Sequence, residues 1–340
     1  MPIGNLCHNT KYLIAAATTV VLASLLSGCA EQEGKIFRVG ILSGAPFFAT
    51  TVDGFKAKMT EQGYVEGKNI IYDVHSVSIN NALTTKETLK KFQSDDVDLI
   101  FTFPTGSALA AKAAARNSGI PVVFTGATLE GNDLVESTRH PGGNITGVRA
   151  PTPDMSVKRL EILLRIAPYL KHVLLLHNPN YIPSVEALAA LRAAADSILR
   201  VNLMVESITS VDELTNALQA IVRTNKVAEL EAILVMPEVV VQSPTGWKIT
   251  TAFAKQHNIL IGGGLPHTAN DGALFSFFPD NIETGEMAAL LANKIFKGIP
   301  AGTIPVFTAD SRLRINYRLA LESGLMIDEG LLLQATEINR

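Results

Sequence analysis

From Phe37 onward, short continuous apolar runs alternate with longer segments whose apolar residues recur at helical spacing. A continuous apolar run bounded by turn residues marks a strand buried on both faces, and strands of that kind need crossover helices to cover them. The pattern therefore predicts an α/β architecture with parallel sheets. In the first half, strands are expected at Phe37–Leu42, Ile70–His75, Asp98–Phe103 and Pro121–Phe124, with helices near Val52–Gln62, Thr84–Phe92 and Ser107–Asn117. Gly63 and Gly119 follow two of these helices, where a positive φ ends a helix at little steric cost. The alternation pauses over Ala127–Asp154, a Pro- and Gly-rich stretch whose end is read as a hinge. It restarts with strands at His172–His177, Leu203–Ser207, Ala232–Met236 and Ile259–Ile261. Helices are expected near Ser156–Ile166, Val185–Leu199, Val211–Val222 and Gly246–Gln256.

The pause midway argues for two lobes in tandem, and a length of 340 residues is more than one hydrophobic core usually holds. Ala273–Phe278 reads as a strand crossing back to the first lobe, with Asn281–Lys297 packed on it and the tail from Pro305 crossing again. The expected division is 36–149 plus 273–304 for the N-terminal lobe and 150–272 plus 305–340 for the C-terminal lobe. Hydrophobic residues make up 47% and charged residues 18% of the chain, so it can bury large cores. A net charge of −3 offers no general attraction to nucleic acid, which is excluded as a partner.

The first residues have their own composition. Lys11 is the sole basic residue ahead of an apolar stretch, Tyr12–Leu26, too short for a membrane-spanning helix and ending in Leu26-Ser27-Gly28-Cys29. That tetrapeptide resembles the bacterial lipobox, in which the Cys is lipidated and the bond before it is cut. Residues 1–28 are therefore expected to be a signal peptide of the lipoprotein type, Cys29 the lipidation site and residues 29–35 a tether. Cys7 would be removed with the signal, leaving Cys29 alone and no internal disulfide. The localisation that follows is the cell envelope, with a lipid anchor in a membrane and the folded part facing the periplasm or the cell exterior.

Several segments in order along Ile36–Glu337 carry a family likeness. They are Phe37-Arg38-Val39-Gly40-Ile41-Leu42, Gly63-Tyr64-Val65-Glu66-Gly67-Lys68-Asn69 and Ile120-Pro121-Val122-Val123-Phe124-Thr125. Pro141-Gly142-Gly143-Asn144-Ile145-Thr146-Gly147-Val148 is the most specific, and Ile315-Asn316, Ala320 and Gly324-Leu325 close the series. The chain resembles the substrate-binding lipoproteins of ABC importers, in the group that includes tryptophan- and tyrosine-binding components. The resemblance implies two Rossmann-like lobes with parallel sheets joined by hinge crossovers, the type I periplasmic-binding-protein fold. It also implies capture of a small molecule, an aromatic or other amino acid, for delivery to an ABC permease and its ATPase subunit. A sensory or accessory lipoprotein that signals to a receptor is the alternative.

In open parallel sheets, ligands collect beyond the carboxyl ends of strands. The loop after the first strand supplies Ser43, Ala45, Pro46 and Phe47, with Phe47 or Phe48 able to stack on an aromatic solute. Thr105, Gly106 and Ser107 open a helix, where free N–H groups and hydroxyls suit a carboxylate. Thr125, Gly126 and Ala127 follow the fourth strand. From the second half come Asn178, Asn180 and Tyr181, then Glu238 as the partner for a ligand ammonium, and Gly263. The resembled proteins more often carry a polar or acidic residue where this chain has Gly262-Gly263-Gly264.

No catalytic residue is assigned. Gly63-Tyr64-Val65-Glu66-Gly67-Lys68 is one residue short of a P-loop, no Gly-x-Ser-x-Gly elbow occurs, and the seven His residues show no metal-ligand spacing. The expectation is a non-enzymatic binder without cofactor or metal, and a monomer.

Overall fold

The computed structural model describes residues 35–44, 46–77, 81–199 and 201–340. The signal, the lipidation site Cys29, nearly all of the tether, and Ala45 lie outside the described residues.

The first lobe is built on a six-stranded, all-parallel sheet. Its strands are β1 (Phe37–Ser43), β2 (Ile70–Ser76), β3 (Leu99–Phe103), β4 (Val122–Ala127), β5 (Ile145–Arg149) and β11 (Phe307–Thr308), in the order β11-β5-β4-β3-β1-β2. Helices α1 (Ala49–Glu61), α2 (Ala82–Ser94) and α3 (Thr105–Ala115) connect the first four strands. Asn81 starts α2 by accepting the Thr84 N–H, and Gly63 and Gly119 adopt φ of +92° and +69° after α1 and α3. The sheet is buried on both faces, as its continuous apolar runs require. One face packs on α1 around Phe55, Met59 and Phe101, the other on α2 and α3 around Phe92, Ala108 and Phe124.

The second lobe repeats the plan with α4 (Thr152–Ile166), β6 (His172–His177), α5 (Ile182–Ala194), β7 (Asn202–Ser207), α6 (Val211–Arg223), β8 (Ala232–Leu234), α7 (Pro244–His257) and β9 (Leu260–Gly262). Its strands are parallel and ordered β7-β6-β8-β9. A smaller sheet, β10 (Phe275–Pro279), β12 (Ser311–Asn316) and β13 (Glu337–Asn339), abuts it through a hydrogen bond from Leu274 N–H, just before β10, to Ile261 O of β9 at 2.8 Å. Short helices α9 (Tyr317–Glu322) and α10 (Glu329–Leu332) pack alongside.

The chain crosses between the lobes at three places: after β5, after β10 into α8 (Asn281–Phe296), and after β11. Two expected boundaries shift. Leu274 and Phe275 sit in the second lobe's core with Leu313 and Ile315, so the return to the first lobe comes at Pro279–Asp280 and not at residue 273. Phe307 pairs with Val148, and Ile304 and Ala309 lie in the first lobe's core, so the last crossing comes after residue 309 and not at 305. The stretch expected to be a pause also contains a strand, β5. Thr146-Gly147 breaks its apolar run, but a Cβ at Gly147 would collide with the Phe124 carbonyl of the neighbouring strand, so glycine is what lets β5 pair there.

Helix α8 begins at Asp280, whose carboxylate accepts the Ile282 and Glu283 N–H groups and pairs with Arg314 of β12 at 3.0 Å. It then lies against α1 with small residues at the contact. A Cβ on Gly54 would strike the Ile282 carbonyl, and one on Gly285 the Thr51 carbonyl. Either clash involves backbone and cannot be relieved by a rotamer change. Gly54→Ala and Gly285→Ala are each expected to cost about 2 kcal/mol or more of unfolding free energy in urea titrations, in the upper range for overpacked helix contacts. Neutral substitutions would show that α8 is not held this closely.

Candidate functional site

Each parallel sheet reverses its strand order once, and loops that leave a sheet at such a point diverge to form a crevice. In the first lobe the reversal lies between β1 and β3, and in the second between β6 and β8. The loops after those four strands meet between the lobes.

After β1, Gly44 N–H donates to Phe103 O at 2.7 Å, and a 3-10 turn, Pro46–Phe48, presents two aromatic rings. The rings of Phe47 and Phe48 have centroids 4.4 Å apart, and Phe48 also neighbours Phe278, the last ring of β10 before the crossing, at 6.4 Å. Gly126, at φ +60°, lies beneath Phe48, where an added Cβ would stand 3.2 Å from the ring. After β3, Thr105 opens α3, and its hydroxyl accepts the Thr128 N–H at 3.1 Å. Thr128 in turn shares a 2.5 Å hydrogen bond with Thr152, the first residue of α4.

From the second lobe, Asn178 N–H donates to Ser184 Oγ at 3.1 Å, and its side-chain oxygen accepts the Asn180 N–H at 3.0 Å, which turns the chain so that Tyr181 faces the first lobe. The half-buried Tyr181 lines the same spaces as Thr105 of the first lobe, and desolvation, with the Glu238 carboxylate adding to it, pushes the phenol pKa up. After β8, Glu238 is 2% exposed. Its Oε2 and Oε1 accept the Val240 and Val241 N–H groups, each at 2.6 Å. Burial nevertheless outweighs these donors and pushes the carboxyl pKa up to about 7.

These groups line two connected spaces. An inner cavity of about 50 Å³ is lined by Phe47, Phe48, Phe278, Tyr181, Glu238 and Arg159, among others. An outer one of about 310 Å³ is bounded by Thr105, Gly106, Asn178, Asn180, Tyr181 and Thr209. Thr105, Tyr181, Pro183 and Val239 belong to both. The inner space is smaller than an amino acid.

Of the expected site residues, Phe47, Thr105, Gly126, Tyr181 and Glu238 border the inner cavity, and Gly106, Asn178 and Asn180 the outer. Ser43, Thr125 and Ala127 are buried in strands and line neither; Ala127 belongs to the first lobe's core. Ser107 packs beneath Gly44 instead of facing the cleft. Pro46 contributes the start of the 3-10 turn. Gly263 also stays out of the cavity lining: at φ +79°, a Cβ there would sit 3.0 Å from Cδ of Arg159, so this glycine makes room for the arginine's stem. Phe48, expected as the alternative to Phe47 for stacking, lines the inner cavity beside it, whereas Thr128, Thr152, Gln242, Phe278 and Arg159 were not anticipated. Arg159 had a signal, because it shares the apolar face of α4 with Met155, Leu163 and Ile166, where a charge is out of place.

The family model for ABC transporter substrate binding proteins matches residues 39–339. A curated relative, the tyrosine-binding protein of Clostridioides difficile (strain R20291), is 27% identical over 319 residues, 88% of each chain. A solved ABC domain in complex with L-Trp from Streptococcus pneumonia superposes with a TM-score of 0.79 at 19% identity, covering 89% of this chain and 100% of that one. The ligand-free, open structure of a substrate binding protein with adhesive properties from Clostridium difficile gives 0.66 at 23% identity, covering 89% and 99%. The fold shared with these structures is the type I periplasmic-binding-protein fold.

Glu238 gives a pH signature. Its folded-state pKa of about 7 lies above the ordinary 4.5, so the folded chain binds the proton more tightly than the unfolded one. The stabilisation is complete below about pH 4.5 and is lost as pH rises through about 7, by up to about 1.4 kcal/mol per pH unit in between. Denaturant titrations across that window are expected to show a falling contribution in the wild type that Glu238→Gln removes. An unchanged slope in the variant would place the titration elsewhere.

Proposed function

The chain belongs to the ABC transporter substrate binding protein family, a family of solute-binding proteins and not of enzymes, and from that premise we propose that it captures an aromatic amino acid between its lobes for import. The observation that carries this reading is the set of aromatic side chains drawn from both lobes around one cavity: Phe47 and Phe48 from the first, Tyr181 and Phe278 from the second. An aromatic guest stacked among them gains roughly 0.5–1.5 kcal/mol per ring contact beyond simple burial. Glu238, buried and without a cationic side-chain partner among the described ion pairs, is the acceptor for the ligand ammonium. The names of the relatives, one binding tyrosine and one solved with L-Trp, support the same solute class.

Binding works through differential affinity. A ligand that touches Phe47 on one side and Tyr181 and Glu238 on the other favours the closed arrangement, and the three crossings absorb the change. Moving from mostly open to mostly closed takes about 5.5 kcal/mol of that preference. The closed form is what a permease, driven by its separate ATPase, recognises. Lipidation at Cys29 would hold the protein, as a monomer, at a membrane facing the periplasm or the cell exterior, so that capture happens beside the permease.

Two outcomes are expected. L-Tyr or L-Trp raises the thermal unfolding midpoint of the purified protein in proportion to the logarithm of ligand excess, whereas sugars leave it unmoved; a shift with sugars alone would reject the solute class. Cys29→Ala, expressed in a bacterial host, moves the protein from the membrane fraction to the soluble one; unchanged membrane association would reject the anchor.

A further inference from the structure

Arginine is the side chain least able to shed its charge, and burying it without a counter-ion is costly. Arg159 is 2% exposed and among the largest fully buried side chains of the protein. Burial lowers its pKa to about 10, which leaves it charged at neutral pH. The more exposed Arg149, Arg165, Arg312 and Arg314 all face a carboxylate, respectively Glu130, Asp328, Glu283 and Asp280. Arg159 has none among the described ion pairs. Its Nε donates to the Phe277 carbonyl at 3.0 Å, and the guanidinium carbon stands 5.8 Å from the Phe278 ring.

The chain keeps this arrangement in place from several sides. The first crossing delivers α4 straight to the cleft, Gly263 leaves space for the arginine's stem, and Phe277 O fixes one edge of the guanidinium. Arg159 lines the same cavity as Glu238, yet the two do not form an ion pair. The cleft thus holds a cation and an acid at separate positions, each lacking a side-chain counter-ion. The helix start at Thr105, the other candidate for an anion, has its hydroxyl engaged by the Thr128 N–H, and Ser107 lies beneath Gly44.

We propose, resting on the amino-acid reading of the cleft, that Arg159 receives the carboxylate of the ligand, its free N–H edge forming a forked hydrogen-bonded pair with the two oxygens. Arg159 and Glu238 together then select a zwitterion, and the aromatic walls select its side chain. The bound carboxylate supplies the counter-charge that no side chain gives Arg159 among the described ion pairs.

Calorimetric titration of the full chain with three related probes tests this: L-Trp, indole-3-propionate, which lacks the ammonium, and tryptamine, which lacks the carboxylate. The wild type is expected to bind both carboxylates at least about 30-fold more tightly than tryptamine, the scale of a buried charge pair that loses one partner. Arg159→Met is expected to abolish that preference while leaving tryptamine affinity nearly unchanged, and Arg159→Lys to restore part of it. Retention of the acid-over-amine preference in Arg159→Met, or an equal loss for all three probes, would overturn the assignment. Binding of indole-3-propionate without L-Trp would defeat the amino-acid reading and leave Arg159 as the anion site, whereas binding of neither carboxylate defeats both. Should Arg159→Met not fold, the wild-type preference and its reduction in Arg159→Lys decide the matter.

Discussion

Each lobe closes its own hydrophobic core, and that separation is the constraint from which the rest follows. The apolar faces of the six-stranded sheet are satisfied by α1, α2, α3 and α8, and those of the four-stranded sheet by α4 to α7 and the small sheet beside it. The seam is left to aromatic rings, to hydroxyls such as Thr105 and Thr128, and to charges at the crossings, where Arg314 meets Asp280. Such a seam opens at far less cost than a core, because water replaces its hydrogen bonds when the lobes part.

The same division explains where the chemistry lies. Parallel strands send all their carboxyl ends to one edge, and the order reversal in each sheet splays two loops apart there. Two lobes of this kind facing each other bring four loops together, and the first crossing adds the start of α4 as a fifth wall. Arg159 reaches the cleft from that wall, a direction that neither sheet edge provides. The triple glycine after β9, which looks like a missing polar contact, is the reciprocal of this arrangement: side-chain volume is absent at Gly263 because the stem of Arg159 occupies the space.

The strand and helix order was readable from apolar periodicity because both faces of both sheets are covered, so strands appear as unbroken runs. Where a run is interrupted for a packing reason, as at Thr146-Gly147 in β5, the pattern loses the strand. The loops of the candidate site were readable from the strand-end rule, but the choice of side chain within a loop was not. Thr105 and Ser107 are two residues apart on one helix start, yet only the first faces the partner lobe. Thr125, Gly126 and Ala127 are successive residues at the end of β4, where the pairing with β5 shifts register and Gly126 takes a positive φ, and of the three only Gly126 reaches the cleft. Arg159 escaped because a single charge in an amphipathic helix reads as a solvated residue unless its place on the apolar face is weighed.

The central claim is that the seam between two independent cores opens and shuts on a guest. Small-angle X-ray scattering of the purified protein, recorded without ligand and with saturating L-Trp or L-Tyr, tests it most directly. The account predicts a ligand-dependent contraction, a smaller radius of gyration and a shorter maximum dimension that return to their starting values when the ligand is dialysed away. Identical scattering curves with and without bound ligand would contradict it, because the lobes would then be one rigid body and capture would need another explanation.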